Sequence, residues 1–227
     1  MGNEGKTMTQ ELWTKVEEYF GGMIGEDEAL KAALKDCKKA KLPPIGVTPN
    51  EGKLLMLLAQ MVGARKILEV GTLGGYSTIW LARGMADGGK LMTLEYEQKH
   101  ADVAKKNIAR AGLGEIVEIR VGDAKETMPR LVTEGAGPFD LIFLDADKEG
   151  YTTYFERSLR LSRKGTVIIA DNVVRDGQVL KAKSKDAGVP GIRKFNKSVT
   201  AEKRVKATAI QTVGSKGYDG FALIVVQ

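Results

Sequence analysis

The chain has 227 residues, 43% of them hydrophobic, a net charge of +6 and a single cysteine. That length supports one well-buried core, and the whole chain, 1–227, is expected to form one domain. No apolar run reaches the roughly 20 residues of a membrane span, the polar start lacks the apolar middle of a secretory signal, and Cys37 can close no internal disulfide, so a soluble, cytoplasmic protein is expected.

The first sixty or so residues read as helices. LWTKVEEYF and DEALKAALKDCKKAK carry apolar side chains at helical spacing, Pro43 and Pro44 interrupt, and Pro49 opens NEGKLLMLLAQMV. After residue 64 the rhythm changes. KILEV, KLMTLE, VEIRVGD, FDLIFLDAD and GTVIIAD read as strands, and the helical stretches beginning at Tyr76, Glu97, Ala124 and Tyr151 lie between them. This alternation predicts a parallel sheet covered on both faces. VKATAIQTV and YDGFALIVV, separated only by GSKG, predict an antiparallel pair at one edge.

Ligands of open parallel sheets bind beyond the carboxyl ends of the strands. Those ends carry Glu69 with Gly71, Glu95, Asp123, Asp145 with Asp147 and Lys148, and Asp171 with Asn172. Packing gives no reason for a carboxylate at nearly every one. The loop after the first strand puts Leu73 and Tyr76 where a dinucleotide fingerprint needs its second and third glycines, which disfavours an NAD-dependent oxidoreductase. A glycine turn beside a carboxylate suits a cationic ligand such as S-adenosylmethionine, and Glu95 is placed to accept both hydroxyls of a ribose. Asp145, Asp171 and Asn172 are hard oxygen donors from neighbouring strand ends, suited to Mg²⁺ or Ca²⁺. Lys148, three residues beyond Asp145, would feel the same cation and could serve as general base.

Between Arg175 and Lys206 lie ten Lys or Arg against Asp176, Asp186 and Glu202. Such a run is most often a solvated helix face, and with only Phe195 among it a single-strand nucleic-acid groove is disfavoured, as is an RNA methyltransferase. His100, the one histidine, is expected on the surface, and Cys37 is expected to be an ordinary helix residue.

LEVGTLGGYSTIWLA, FDLIFLDADKEGYTTYFE and GTVIIADNVVRDGQV together resemble the cation-dependent O-methyltransferases that include the caffeoyl-CoA and catechol enzymes. The similarity runs from about Gly46 to the C-terminus. It implies an α/β class I methyltransferase fold, Rossmann-like, with helices on both faces of a seven-stranded, mostly parallel sheet whose last strand is antiparallel. It also implies that Val47, Thr48, Glu69, Gly71, Tyr76, Ser77 and Asp145 surround the methionine end of S-adenosylmethionine, that Glu95 holds the ribose, and that Asp123 and Ala124 flank the adenine. Asp145, Asp171 and Asn172 match the ligands of a divalent cation, Mg²⁺ with Ca²⁺ or Mn²⁺ as substitutes, and Lys148 matches the base. The expected acceptor is a small catechol or phenylpropanoid, with a CoA thioester held by the basic stretch as the alternative, and the expected assembly is a homodimer. The chain departs from the plant members at QTVGSKGYDGF, so acceptor identity does not carry over.

Overall fold

The computed structural model describes residues 4–227, with side-chain surroundings from residue 9. Seven strands, β1 Lys66–Val70, β2 Lys90–Glu95, β3 Val117–Val121, β4 Phe139–Leu144, β5 Ser162–Ala170, β6 Val205–Gly214 and β7 Gly217–Val226, form one sheet in the order β3-β2-β1-β4-β5-β7-β6. The first five pair in parallel, while β7 runs antiparallel to both β5 and β6. The predicted terminal hairpin is present, with β7 inside and β6 forming the exposed edge.

Successive strand residues point to opposite faces, and here both faces are apolar. Ile67, Leu91, Leu141, Phe143 and Ile169 meet helices α4 Pro49–Met61, α5 Tyr76–Arg83 and α6 Gln98–Arg110. Leu68, Leu94, Ile142, Leu144 and Ile168 meet α7 Ala124–Thr133, α8 Tyr151–Arg160 and α9 Val189–Ala201. Each such residue, fully buried, contributes roughly 1.5–3 kcal/mol of transfer free energy. Helices α1 Glu4–Tyr19, α2 Gly21–Ile24 and α3 Glu28–Lys39 precede this sandwich. The N-terminal helices are joined closely to the rest: a Cβ at Gly52 of α4 would lie 2.2 Å from the Trp80 ring of α5.

Two boundaries differ from the sequence expectation. The stretch YTTYFERSLRLS reads as helix through Ser162, yet the helix ends at Arg160, because Ser162 already pairs with Phe139 across an irregularity in the β4–β5 ladder. Helix α9, which the charge run hid, buries Val189, Ile192, Phe195 and Val199 at helical spacing while Lys194 and Lys197 face solvent. Phe195 packs edge-on against Tyr151 and Phe155 at 5.6 and 5.8 Å between ring centres.

The chain fills β1, β2 and β3 outward, then returns past β1 to lay down β4 and β5. The crevice at this reversal, between the ends of β1 and β4, is where a doubly wound sheet opens. There the Gly71 N–H donates to the Leu94 carbonyl at 2.9 Å and the Asp145 N–H to the Val70 carbonyl at 2.8 Å. Gly71 has φ +105°, and a Cβ on it would stand 2.0 Å from the Asp145 carbonyl oxygen, so only glycine lets the two strands meet here. No described helix is long and apolar enough to cross a membrane.

Candidate active site

A cavity of about 1190 Å³ follows the strand ends from the loop before α4, past the glycine loop, to Lys148, Asn172 and the tip of the β6–β7 hairpin. Of the residues singled out from sequence, Val47, Thr48, Gly71, Tyr76, Ser77, Glu95, Asp123, Ala124, Asp145, Lys148 and Asn172 line it. Glu69 and Asp171 stand apart. Glu69 is wholly buried beneath the cavity, and Asp171 opens instead onto a small apolar space beside Glu51, Val47 and Phe143.

Local sequence sets each position. Thr48 caps α4 in a reciprocal box: its hydroxyl accepts from the Glu51 N–H at 3.3 Å, and the Glu51 carboxylate accepts from the Thr48 N–H at 2.7 Å, with Pro49 opening the helix. Gly75, at φ +82°, starts α5 and leaves room for Ala104 and Ile108 of α6. Asp123 caps α7 by accepting from the Lys125 N–H at 2.8 Å.

On the β1–β2 side the carboxylates are supplied with donors. The Ser77 and Thr78 hydroxyls donate to the two oxygens of Glu69 at 2.6 and 2.5 Å, yet burial wins and pushes its carboxyl up to about 7. Glu95 accepts four bonds. Leu73 N–H at 2.7 Å and Thr72 N–H at 3.2 Å reach Oε2, while Glu97 N–H at 2.9 Å and His100 Nδ1 at 3.2 Å reach Oε1. His100 is therefore a wall of the cavity and a partner of Glu95, which corrects the expectation of a surface residue. The signal was its place one turn into the helix that follows Glu95. Tyr76 lines the cavity with its ring, while its hydroxyl donates to Glu26 at 2.5 Å. Cys37 also lines the cavity from α3, and a Cβ at Gly74 would lie 2.0 Å from its sulfur; the thiol is packed against the glycine loop, and burial pushes its pKa up.

On the β4–β5 side charge is less well balanced. Lys148 is only 11% exposed and donates to Asp145 Oδ1 at 2.9 Å and to the Tyr151 hydroxyl at 2.7 Å. The Tyr151 oxygen also lies 2.9 Å from the carbonyls of Leu144 and Asp171, which ties the lysine to both strand ends. Asp171 accepts from the Asn172 N–H at 2.7 Å, and Asn172 itself takes φ +55°. Burial, then the charges of Asp145 and Glu51, push the Asp171 carboxyl well above the usual range, with Lys148 opposing. Glu51, to which sequence alone assigned no role, is thus part of this acidic floor, and burial raises its own carboxyl too. Among the described residues no three His, Cys, Asp or Glu side chains are grouped to hold a metal ion. A cation here would need the Asn172 amide beside Asp145 and Asp171.

The family model described as O-methyltransferase matches residues 22–224. The chain belongs to that family. The likeness begins earlier than the motifs alone indicated, taking in α3 and its contacts with the glycine loop. A catechol O-methyltransferase of Niastella koreensis is 53% identical over 97% of this chain and 100% of its own length. A catechol O-methyltransferase of Mycobacterium tuberculosis is 50% identical over 90% of this chain and 91% of its own. The crystal structure of the O-methyltransferase from Bacillus cereus in complex with SAH superposes with a TM-score of 0.94 at 53% identity, covering 96% of this chain and 100% of that one. This chain is an O-methyltransferase on that footing, and its strand-end cavity is the place to look for the chemistry.

Proposed function

We propose that this O-methyltransferase uses S-adenosylmethionine and a divalent cation to methylate one of two vicinal hydroxyls of a small catechol-type aromatic. The observation that carries the reading is the junction at Gly71, where Glu95, Asp145, Lys148 and Asn172 line one crevice, with Glu69 buried beneath it and Asp171 on the small apolar space beside it. The SAH of the Bacillus cereus structure and the catechol names of the relatives support it.

On this reading Val47, Thr48, Gly71, Tyr76 and Ser77 enclose the methionine end of the donor. Buried Glu69 supplies negative charge below a sulfonium and an amino group, Glu95 accepts the ribose hydroxyls, and Asp123 and Ala124 flank the adenine. Asp145, Asp171 and Asn172 would hold Mg²⁺, for which Ca²⁺ or Mn²⁺ could substitute, and all three offer the oxygen donors such ions prefer. A fit is indicated by Asp171, whose buried charge is opposed within the protein by Lys148 alone among the charges that shift it. Bound there, the cation would acidify a coordinated phenol, whose unperturbed pKa of about 10 makes it a weak nucleophile at neutral pH.

The residues themselves orient and move the proton. In-line displacement at a sulfonium needs the attacking oxygen about 3 Å from the methyl carbon, and the Gly71–Asp145 approach lets donor and acceptor meet across one crevice. Lys148 is held by Asp145 and Tyr151 at its mouth, within the cavity and near the acceptor oxygen on this reading. As base it must first lose its own proton, and anything that draws the Asp145 carboxylate away from the ammonium favours that loss.

A free catechol is preferred over a CoA thioester because the arginines of the basic stretch are already engaged within the protein. Arg175 is paired with Asp186, Arg204 with Glu202, and Arg193 donates to the Val179 carbonyl. Exposed Leu12, Val16 and Tyr19 of α1 are offered to a second copy in a homodimer. The deciding experiment is a turnover screen with S-adenosylmethionine and catechol, caffeate or caffeoyl-CoA, each with and without chelator, read by mass spectrometry. Methylated catechol or caffeate that disappears with chelator is expected, and a product only from caffeoyl-CoA would replace the acceptor assignment.

A further inference from the structure

Arg175 and Lys216 belong to two walls at once. They line the cavity described above and also a second one of about 910 Å³, so the two spaces meet at this seam. The second cavity lies between α1, the loop after β5 and the β6–β7 hairpin, with Trp13 and Tyr218 as its aromatic walls. The hairpin tip is clasped by α1. Gln10 Nε2 donates to the carbonyls of Gly214 at 2.8 Å and Ser215 at 3.2 Å, and the Ser215 N–H donates to Glu17 at 2.5 Å. Lys216 is thereby carried to a fixed place at the rim.

The other charges of the second cavity are already committed. Arg175 lies 2.9 Å from Asp186 through two nitrogens, and Asp219 accepts from the N–H groups of Val174, Arg175 and Gly220 at 2.9 to 3.0 Å. Asp176 is engaged as well. Exposed Lys216 makes no hydrogen bond or ion pair among the described residues, although its charge reaches Glu51 on the active-site floor. An ammonium with three uncommitted donors, at the junction of the reaction crevice and an aromatic-walled annex, is placed to read the far end of an acceptor.

We propose that Lys216 is a specificity-determining residue: the second cavity receives the ring substituent of the acceptor, and Lys216 selects catechols whose substituent ends in a carboxylate. This rests on the catechol-methylation reading above and names its substrate class.

Caffeate and its methyl ester differ at this end in charge and by one methyl group, so the change in their ratio between the wild type and Lys216 variants isolates the contact. In the wild-type protein at low ionic strength, kcat/KM should favour caffeate over the ester by about 3- to 10-fold, the range for a partly solvated charge-assisted contact. The ratio should approach one in Lys216→Gln, persist in Lys216→Arg, and shrink as salt is raised. The same pair is measured as Kd by calorimetry in the presence of SAH, which reads the subsite without methyl transfer. Methyl transfer with no preference for caffeate, or a preference that survives in Lys216→Gln, overturns the inference and leaves the methyltransferase reading standing. A binding preference that Lys216→Gln removes, without any turnover, supports the subsite and sinks the catechol reading. A preference for an amine-bearing catechol, abolished in Asp176→Asn, would reverse the sign and also overturn the inference.

Discussion

The ends of β1 and β2 and the ends of β4 and β5 are both crowded with carboxylates, but the chain balances them differently. Glu95 receives four donors and Glu69 two hydroxyls, all from nearby protein groups. Asp145 and Asp171 share one lysine, and the charge of Asp145 adds to the burial that keeps the Asp171 carboxyl high. A carboxylate furnished with donors is ready for a neutral or singly charged ligand. A half-buried pair with too few donors favours a cation, since burying charge without compensation costs several kcal/mol. On the proposed reading, the difference separates a donor half whose carboxylates the chain itself furnishes with donors from an acceptor half that a metal would complete.

The harshest way to break this comparison is to remove the cation. On the proposed reading, excess chelator abolishes turnover while the circular dichroism spectrum stays native, and Asp171→Ala loses on the order of 10³ or more in kcat with S-adenosylmethionine affinity nearly unchanged. Asn172→Ala, which removes a neutral ligand, should lose less. Full turnover in chelator would mean that the acidic floor is balanced by Lys148 alone.

Lys148 itself comes next. Arginine keeps the positive charge beside Asp145 and cannot give up its proton near neutral pH. Lys148→Arg should therefore lose about 10² to 10⁴ in turnover on catechol, and less on a nitrocatechol whose phenol is already acidic. Near-normal turnover of catechol by the variant would reduce Lys148 to a counter-charge for Asp145.

Much of this division is legible in the sequence, because strands alternate with helices in plain periodicity and carboxylates end the strands where a doubly wound sheet opens. The glycine loop is legible too: Leu73 and Tyr76 stand where a pyrophosphate cradle needs glycine. What escaped depends on packing between distant segments. Helix α9 lies in a stretch that reads first as a basic run, although Val189, Ile192, Phe195 and Val199 keep helical spacing. Glu51 reads locally as half of a capping box, and only the fold brings it beside Asp171. Lys216 sits in a turn whose meaning appears once α1 clasps it 200 or so residues away in sequence.

Buried Glu69 offers a smaller effect on the donor side. Its carboxyl is raised from 4.5 to about 7, so the stability that depends on its protonation is present below about pH 4.5 and lost as pH rises through about 7. Glu69→Gln cannot ionise, and Ser77 and Thr78 can still bond its amide. The variant should match the wild type in urea unfolding at pH 5 and exceed it at pH 8 by an amount on the order of 2–3 kcal/mol. Parallel pH profiles would show that the two hydroxyls already hold the carboxylate charged at low cost.

The smallest expected effect is at His100, and its sign is informative. Glu95 is acceptor-only as a carboxylate, so His100 Nδ1 must carry the proton in their contact. The four bonds to Glu95 divide into two short ones, from Leu73 at 2.7 Å and Glu97 at 2.9 Å, and two of 3.2 Å, from Thr72 and His100. Each carboxylate oxygen thus has one firm anchor and one loosely held site. Two ribose hydroxyls need one site on each oxygen, and on the proposed reading they take the loose ones, displacing His100 from Oε1. His100 is then a placeholder, and His100→Ala should leave S-adenosylmethionine affinity unchanged or up to about threefold tighter, within the roughly 0.5–1.5 kcal/mol of one hydrogen bond. Calorimetry decides it: more than tenfold weakening would make His100 an anchor of Glu95 and would place the ribose hydroxyls elsewhere on the carboxylate.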